Sequence, residues 1–215
     1  MAIHWITFFG AIKLSNISVT LVCLASATLF TSFLEPLLIK HSLRVLEVFT
    51  GVLILIGLYL IFRFETKYAT GILLAITSAF LAALFTVLNK ILIKRHSSRI
   101  LTFYEMIGGF LSITIFLFIK RSFSNQFFLL PGSDILYLII LGIVCTAFAF
   151  AMQANVMKKL SAYIVALTIN LEPIYGIIFA FIFFGETEYM SAGFYMGATI
   201  ILMSVFGYPI LKRKI

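Results

Sequence analysis

Apolar residues fill most of this chain in long runs that short polar gaps separate. One run is short, and seven are close to the length of a membrane span: 3–12, then 17–39, 46–62, 69–89, 101–119, 135–157, 161–184 and 191–211. A helix needs about 20 apolar residues to cross a hydrocarbon core about 30 Å thick. The pattern therefore predicts an all-α, polytopic bundle of transmembrane helices joined by short loops.

Composition narrows the class of protein further. The chain is 62% hydrophobic and 11% charged, with a mean hydropathy of +1.15, whereas a soluble domain carries about 25% charged residues. A net charge of +8 could indicate nucleic acid, but the Lys and Arg residues lie almost wholly in the gaps between apolar runs. That placement is typical of a multi-pass membrane protein. We expect a lipid bilayer as its surroundings and no nucleic acid as a partner.

The positive charges also predict an orientation. Lys and Arg are unevenly divided between alternate gaps, eleven in one set against five in the other. The richer set contains Lys40, Arg44, Lys90, Lys94, Arg95, Arg99, Lys158, Lys159, Lys212, Arg213 and Lys214. Because cytoplasmic loops carry the excess of basic residues, we expect the C-terminus to be cytoplasmic and the protein to lie in the cell (inner or cytoplasmic) membrane.

The chain contains an internal repeat. The tripeptide Lys-Leu-Ser at 13–15 recurs at 159–161, an offset of 146, and the loop charges place its two copies on opposite faces of the membrane. Such inverted repeats are common in secondary transporters. A competing echo, Leu-Glu-Pro at 34–36 and 171–173, has an offset of 137. We prefer 146 because it keeps the ends of the apolar runs aligned.

The most costly polar group is Glu172, in the run 161–184. It follows Ser161 by 11 residues, which is roughly 16 Å along a helix and near the middle of the bilayer. Pro173 follows directly and should kink the helix, and Asn170 precedes it. An ionisable residue at this depth is a hypothesis of function: Glu172 could carry a proton or pair with a cationic substrate. The alternative is a hydrogen bond that only fixes helix packing.

Weaker candidates surround this segment in the sequence. Asn170 and Tyr175 could contact substrate or bond a neighbouring helix, Gln153 could line a cytoplasmic mouth or lie at the interface, and Glu105 could be a gate or substrate group or reach water. Small residues permit close helix contacts. Five glycines are candidate packing or hinge positions, with a contact inside the bundle preferred over a dimer seam for the last two: Gly108, Gly109, Gly176, Gly193 and Gly197.

Enzyme chemistry is poorly supplied. The single aspartate, Asp134, lies in a loop, and the nucleotide-binding, zinc-protease and serine-hydrolase motifs do not occur. Cys23 and Cys145 both lie inside apolar runs and are expected to pack as small hydrophobic residues. We expect no catalytic residues, no cofactor and no metal.

These segments resemble one known family. KLSAYIVALTINLEPIYGIIFAFIFFGE, followed by GFYMGATIILMSV, resembles the last two helices of the EamA-type transporters of the drug/metabolite transporter superfamily. GAIKLSNISVTLVCLASATLFTSFLEPL resembles helices three and four of that family's first repeat, and GILLAITSAFLAALFTVLNK the opening helix of its second. The family has ten helices in two inverted repeats. The resemblance implies the end of the first repeat at 1–64 and a complete second repeat at 69–212, with the first two to three helices missing.

The resemblance also implies a function. We expect a secondary active transporter, an exporter or exchanger of a small organic metabolite such as an amino acid or drug-like compound, that works by alternating access. Glu172 would be the coupling or substrate-pairing group and Pro173 the hinge. A non-transporting membrane fragment or helical interaction module is the alternative. A membrane enzyme is weakly supported, and a homo-oligomer remains open.

Overall fold

The computed structural model describes residues 1–40, 45–169 and 171–212, and the described chain is built from helices. The α-helices are α1 (Ala2–Leu14), α2 (Ile17–Leu24), α3 (Ala27–Ile39), α4 (Val45–Phe64), α5 (Ala69–Leu92), α6 (Ser98–Ile119), α7 (Gly132–Ile140), α8 (Ala149–Val156), α9 (Ala162–Ile169), α10 (Glu172–Phe184) and α11 (Ala192–Lys212). Three short 3₁₀ helices, Thr66–Tyr68, Asn125–Phe128 and Gly185–Glu188, lie in connections, and a π-helical segment, Leu141–Phe148, joins α7 to α8.

Among the described residues, five helical stretches are long and apolar enough to cross a membrane, by length and composition: Ile17–Ile39, Val45–Phe64, Thr66–Leu92, Ser98–Ile119 and Gly132–Val156. Two shorter apolar helices are Ala2–Leu14 and Ala192–Tyr208. The run 161–184 appears as α9 and α10, on either side of residue 170. The prediction of an all-α, polytopic membrane bundle is confirmed.

The described chain packs as two compact units. One comprises Met1–Ala2 and Asn89–Leu160, and the other comprises Ile3–Leu88 and Ser161–Ile215. The repeats predicted at 1–64 and 69–212 divide the chain differently, because they are defined by sequence and not by packing; those boundaries stay a prediction. The larger unit contains both copies of the repeated segment, so the relation between the copies is visible within it.

The helix ends follow the offset of 146 residues. Shifted by that offset, α2 and α3 coincide with α9 and α10 to within one residue at each end, and α4 begins and ends within two residues of α11. The competing offset of 137 fails, because Pro36 lies inside α3 whereas Pro173 lies in the first turn of α10. The two Leu-Glu-Pro segments therefore occupy different places in the fold.

The two copies run in opposite directions, which the pairing of α4 with α11 shows. A Cβ added at Gly193 would meet the ring of Phe64, near the end of α4. At the other end of the pair, the Tyr208 hydroxyl donates to the Glu47 carboxylate at 3.1 Å. As residue numbers rise along α11 they fall along α4, so these equivalent helices are antiparallel. The repeat is inverted.

The broken spans α2–α3 and α9–α10 are paired in the same antiparallel sense. A Cβ at Gly176 on α10 would lie 2.2 Å from Leu21 Cδ1 on α2. The Ala162 N–H on α9 donates to Glu35 on α3 at 3.0 Å. The residue numbers in each contact, 176 with 21 and 162 with 35, add to 197. A single antiparallel register therefore holds over both halves of the spans. Its midpoint falls at residues 25–26 and 171–172, where the two spans are interrupted.

The two interruptions have different local causes. In the first span the Ser26 hydroxyl donates to the Cys23 carbonyl at 2.7 Å, and the Ser26 N–H donates to the same carbonyl at 3.1 Å, which tightens the turn. In the second span Pro173 lies at the start of α10, where its missing N–H removes no helical bond. Ala27 occupies the position equivalent to Pro173. Both copies of the repeat are therefore interrupted at equivalent positions, and only the second copy has a proline there.

Candidate functional site

Glu172 is the first residue of α10, directly after the interruption of the second broken span. Its side chain is exposed, and the preceding residue, Leu171, makes no side-chain cap to the helix. The first turn of a helix carries the positive end of its dipole. In α10 the N–H groups of Ile174 and Tyr175 both donate to the Leu171 carbonyl, at 3.1 and 3.4 Å, so this helix start favours the Glu172 carboxylate through its dipole.

The other candidates of this segment have different surroundings. Pro173 is buried, whereas Tyr175 is 59% exposed. Asn170 lies outside the described residues. Glu172 and Tyr175 are three residues apart on one helix and share its exposed side, so they form the described part of the site at the break.

The predicted packing glycines fall into two groups. A Cβ at Gly197 would lie 2.6 Å from the Gly57 carbonyl oxygen, and one at Gly193 would lie 2.1 Å from the Phe64 ring. Together with Gly176, which faces Leu21, they lie where helices of the two repeats touch. Gly109 on α6 is buried. A Cβ at Gly108 meets no atom within 4 Å in the part of the chain that the structure describes.

Glu105 and Gln153 belong to the other compact unit. Glu105 is half-buried on α6 and accepts a hydrogen bond from the Asn89 amide. Its Oε2 atom is inaccessible to solvent and has no hydrogen-bond partner among the described groups. The same is true of Thr102 Oγ1, one turn earlier. Gln153 is half-buried on α8. The smaller unit thus holds its own polar cluster around Glu105.

Sequence reasoning missed the carboxylates that join the two repeats. Glu35 accepts the N–H groups of Ala162 and Tyr163, at 3.0 and 2.8 Å. Glu188 accepts those of Ile17 and Ser18, at 3.3 and 2.9 Å. Glu35 is 4% exposed and Glu188 is 3% exposed. Each carboxylate belongs to one repeat and holds the first two N–H groups of a helix in the other.

Two further glutamates make similar connections. Glu65 is 2% exposed and accepts the N–H of Ser191, just before α11, at 2.8 Å. Glu47 is 5% exposed and accepts from Tyr208. One signal pointed to such partners: α2, α9 and α11 have no acidic residue in their own first turns, although anionic groups stabilise helix N-termini.

The titratable groups do not form a metal site in the described ranges, where no three His, Cys, Asp or Glu side chains come together in a way that could hold an ion. The buried carboxylates instead satisfy backbone N–H groups and a tyrosine hydroxyl. This use of the acids is typical of buried charges that need hydrogen-bond partners.

Comparison with known proteins points to a family of transporters. A family model described as EamA-like transporter family matches residues 69–209. Two proteins of Archaeoglobus fulgidus, each named an uncharacterized transporter, are 27% identical to the chain. The matches cover 74% and 93% of this chain, and 53% and 69% of the two relatives. The chain thus spans about half the length of one relative and about two thirds of the other.

The fold is also found in a solved crystal structure. That structure matches 99% of this chain and 73% of its own, with a TM-score of 0.65 at 18% identity, which is evidence for the fold alone. The family model covers well over half of the chain. This chain therefore belongs to the EamA-like transporter family.

Proposed function

We propose that the protein of which this chain is all or part moves a small organic metabolite across the membrane by alternating access. The observation that carries the proposal is the antiparallel pairing of two inverted, interrupted spans, with Glu172 exposed at the interruption of the second. Transporters of several folds place their substrate and coupling ions at interrupted helices near the midplane.

Glu172 is the proposed coupling or substrate-pairing group. A charged side chain in the middle of a bilayer is costly unless water, a proton or a counter-ion accompanies it. A carboxylate whose charge depends on occupancy supplies the link between binding and movement. Because Pro173 has no N–H, it cannot supply the helical bond that the Ile169 carbonyl would otherwise accept. Tyr175 offers an aromatic ring and a hydroxyl on the exposed side that it shares with Glu172.

The uneven loop charges support the proposed direction of the chain in the cell membrane, with the C-terminus and the turn at Lys158 and Lys159 in the cytoplasm. In that orientation α9 begins at the cytoplasmic face and α2 at the outer face. Export or exchange of amino acids or drug-like compounds is the activity that the family resemblance suggests.

Glu172→Gln should abolish flux and leave the folded protein intact, because the substitution keeps the shape of the side chain and removes its ability to ionise. Flux is measured as efflux of preloaded radiolabelled amino acids from cells that express the natural full-length protein. Glu186→Gln is the matched control, since Glu186 follows α10 and is exposed. Efflux by Glu172→Gln equal to that of the Glu186→Gln control would remove Glu172 from the mechanism.

A further inference from the structure

The broken spans α2–α3 and α9–α10 form an antiparallel pair, and both ends of this pair are closed by the same arrangement of donors and acceptors. Asn16 Oδ1 accepts the Val19 N–H at 2.9 Å, and Glu188 accepts the two N–H groups before it, those of Ile17 and Ser18. The first three N–H groups of α2 are therefore all satisfied, the first two by the opposite repeat and the third by the helix's own cap.

The start of α9 repeats this arrangement. The Ile164 N–H donates to the Ser161 hydroxyl at 3.2 Å, and Glu35 accepts from Ala162 and Tyr163. In both helices the donors are the N–H groups of the first three residues. The acceptors are not equivalent in sequence, because the offset of 146 pairs Glu35 with Phe181 and places nothing acidic opposite Glu188. Two unrelated glutamates thus close the two ends in one way.

The two carboxylates lie at opposite ends of the pair. Glu188 follows α10 and meets the start of α2, whereas Glu35 lies near the end of α3 and meets the start of α9. Along the spans they are separated by roughly 25 Å, at about 1.5 Å per residue. Between them lie the two breaks, at the middle of the register that pairs the two spans.

We propose that Glu188 and Glu35 are latches that open alternately, each releasing the helix start it holds when the transporter opens to that face. The inference rests on the proposed alternating access. Opening toward water hydrates both the carboxylate and the two N–H groups, so the loss of the contact is largely compensated. Opening toward lipid would leave a charge and two donors unsatisfied. The latch therefore opens only where water enters.

The geometry also explains why the latches alternate. Each half of one span is paired with a half of the other, so tilting one span against the other about the middle of their register separates one end and presses the other end together. Both carboxylates hold their helix starts in this structure, so opening either end requires one of these contacts to break.

Cys23 provides a reporter for the opening of either end. It is fully buried on α2, two residues before the break. Cys145, which is exposed, and any cysteine outside this chain are replaced by Ser, so that Cys23 is the one thiol left. Labelling of Cys23 by a membrane-impermeant maleimide is measured in right-side-out and inverted membrane vesicles that contain the natural full-length protein. Separate K13C and K158C variants identify the two faces, since both lysines are exposed.

Glu188→Gln should raise the labelling rate of Cys23 about tenfold from the face where α2 begins, and Glu35→Gln should do so from the opposite face only. Gln offers one acceptor oxygen and no charge, so one N–H loses its partner and the attraction to the helix start is lost. Glu186→Gln, two residues from Glu188 and exposed, should leave the rate unchanged from both faces.

A purely structural role of the two caps gives a different result. General loosening would raise labelling from both faces in both variants, and that outcome, or unchanged labelling in both, overturns the proposal. If the Gln variants are lost from the membrane, Glu35→Asp and Glu188→Asp keep the charge with a shorter reach. They should show the same one-sided increase, of smaller size, and a two-sided increase would again contradict the latches.

The labelling experiment is independent of the flux experiment. It needs no substrate, so one-sided labelling without efflux of any tested compound would retain the latches and remove the proposed transport of these metabolites. Efflux without one-sided labelling would retain transport and remove the latches.

Discussion

Gly197→Leu should prevent the two repeats from packing and reduce the folded protein below detection in the membrane. A Cβ at this position would lie 2.6 Å from the backbone oxygen of Gly57 and 2.8 Å from Ile61 Cγ1. Backbone cannot move aside as a flexible side chain can, so α4 and α11 must separate. We expect a cost of about 3 kcal/mol or more in the free energy of unfolding, the upper range for overpacking.

Gly207→Leu is the matched control on the same helix. A Cβ at Gly207 meets no atom within 4 Å among the described residues, and replacing Gly by Leu inside a helix is favourable by up to about 1 kcal/mol. Folded protein is measured as the monodisperse fraction after detergent extraction, with thermal unfolding of what remains. Equal recovery of the two variants would show that α4 and α11 do not approach as closely as described.

Glu35→Lys should be the most damaging change among the buried carboxylates. It removes the acceptor of two N–H groups and places a cation against the positive end of α9. Because Glu35 is 4% exposed, the lysine cannot reach water without moving α3. Breaking a buried, hydrogen-bonded charge costs about 3–5 kcal/mol, so we expect loss of about 4 kcal/mol in the free energy of unfolding.

Glu186→Lys makes the same change of charge at an exposed position and should leave unfolding within about 0.5 kcal/mol of the parent protein. The two variants are compared by thermal unfolding in one detergent. The prediction is contradicted if Glu35→Lys unfolds at the temperature of Glu186→Lys. That result would mean that the end of α3 is hydrated and that its carboxylate is not held by α9.

Much of the fold could be predicted from the sequence because its signals are local. Length and apolarity of a run are enough to predict a membrane-spanning helix. The repeat was visible as Lys-Leu-Ser at 13–15 and 159–161. In the structure the same offset of 146 relates the two breaks to each other. Pro173 marked the second break. The first break, at Ala25 and Ser26, carried no such mark and was not predicted.

The candidate site was predicted less completely. Glu172 was singled out because a carboxylate near the middle of an apolar run is unusual. Glu35 and Glu188 were passed over because they lie near the ends of apolar runs, where a carboxylate is ordinary. Their partners are 127 or more residues away along the chain. The donors are backbone N–H groups, which every residue except proline has and which leave no trace in the sequence.

The sequence by itself determined that this protein is a helical membrane protein with an inverted repeat and a charge near the middle of one span. Burial of apolar runs and the satisfaction of backbone hydrogen bonds within each helix decide those features, and both depend on neighbours along the chain. Only the tertiary structure decided which carboxylates close which helix ends and which halves of the two interrupted spans pack together. Those features depend on how two antiparallel spans pack. The N–H groups at a helix start can donate to any anionic group that the packing brings to them.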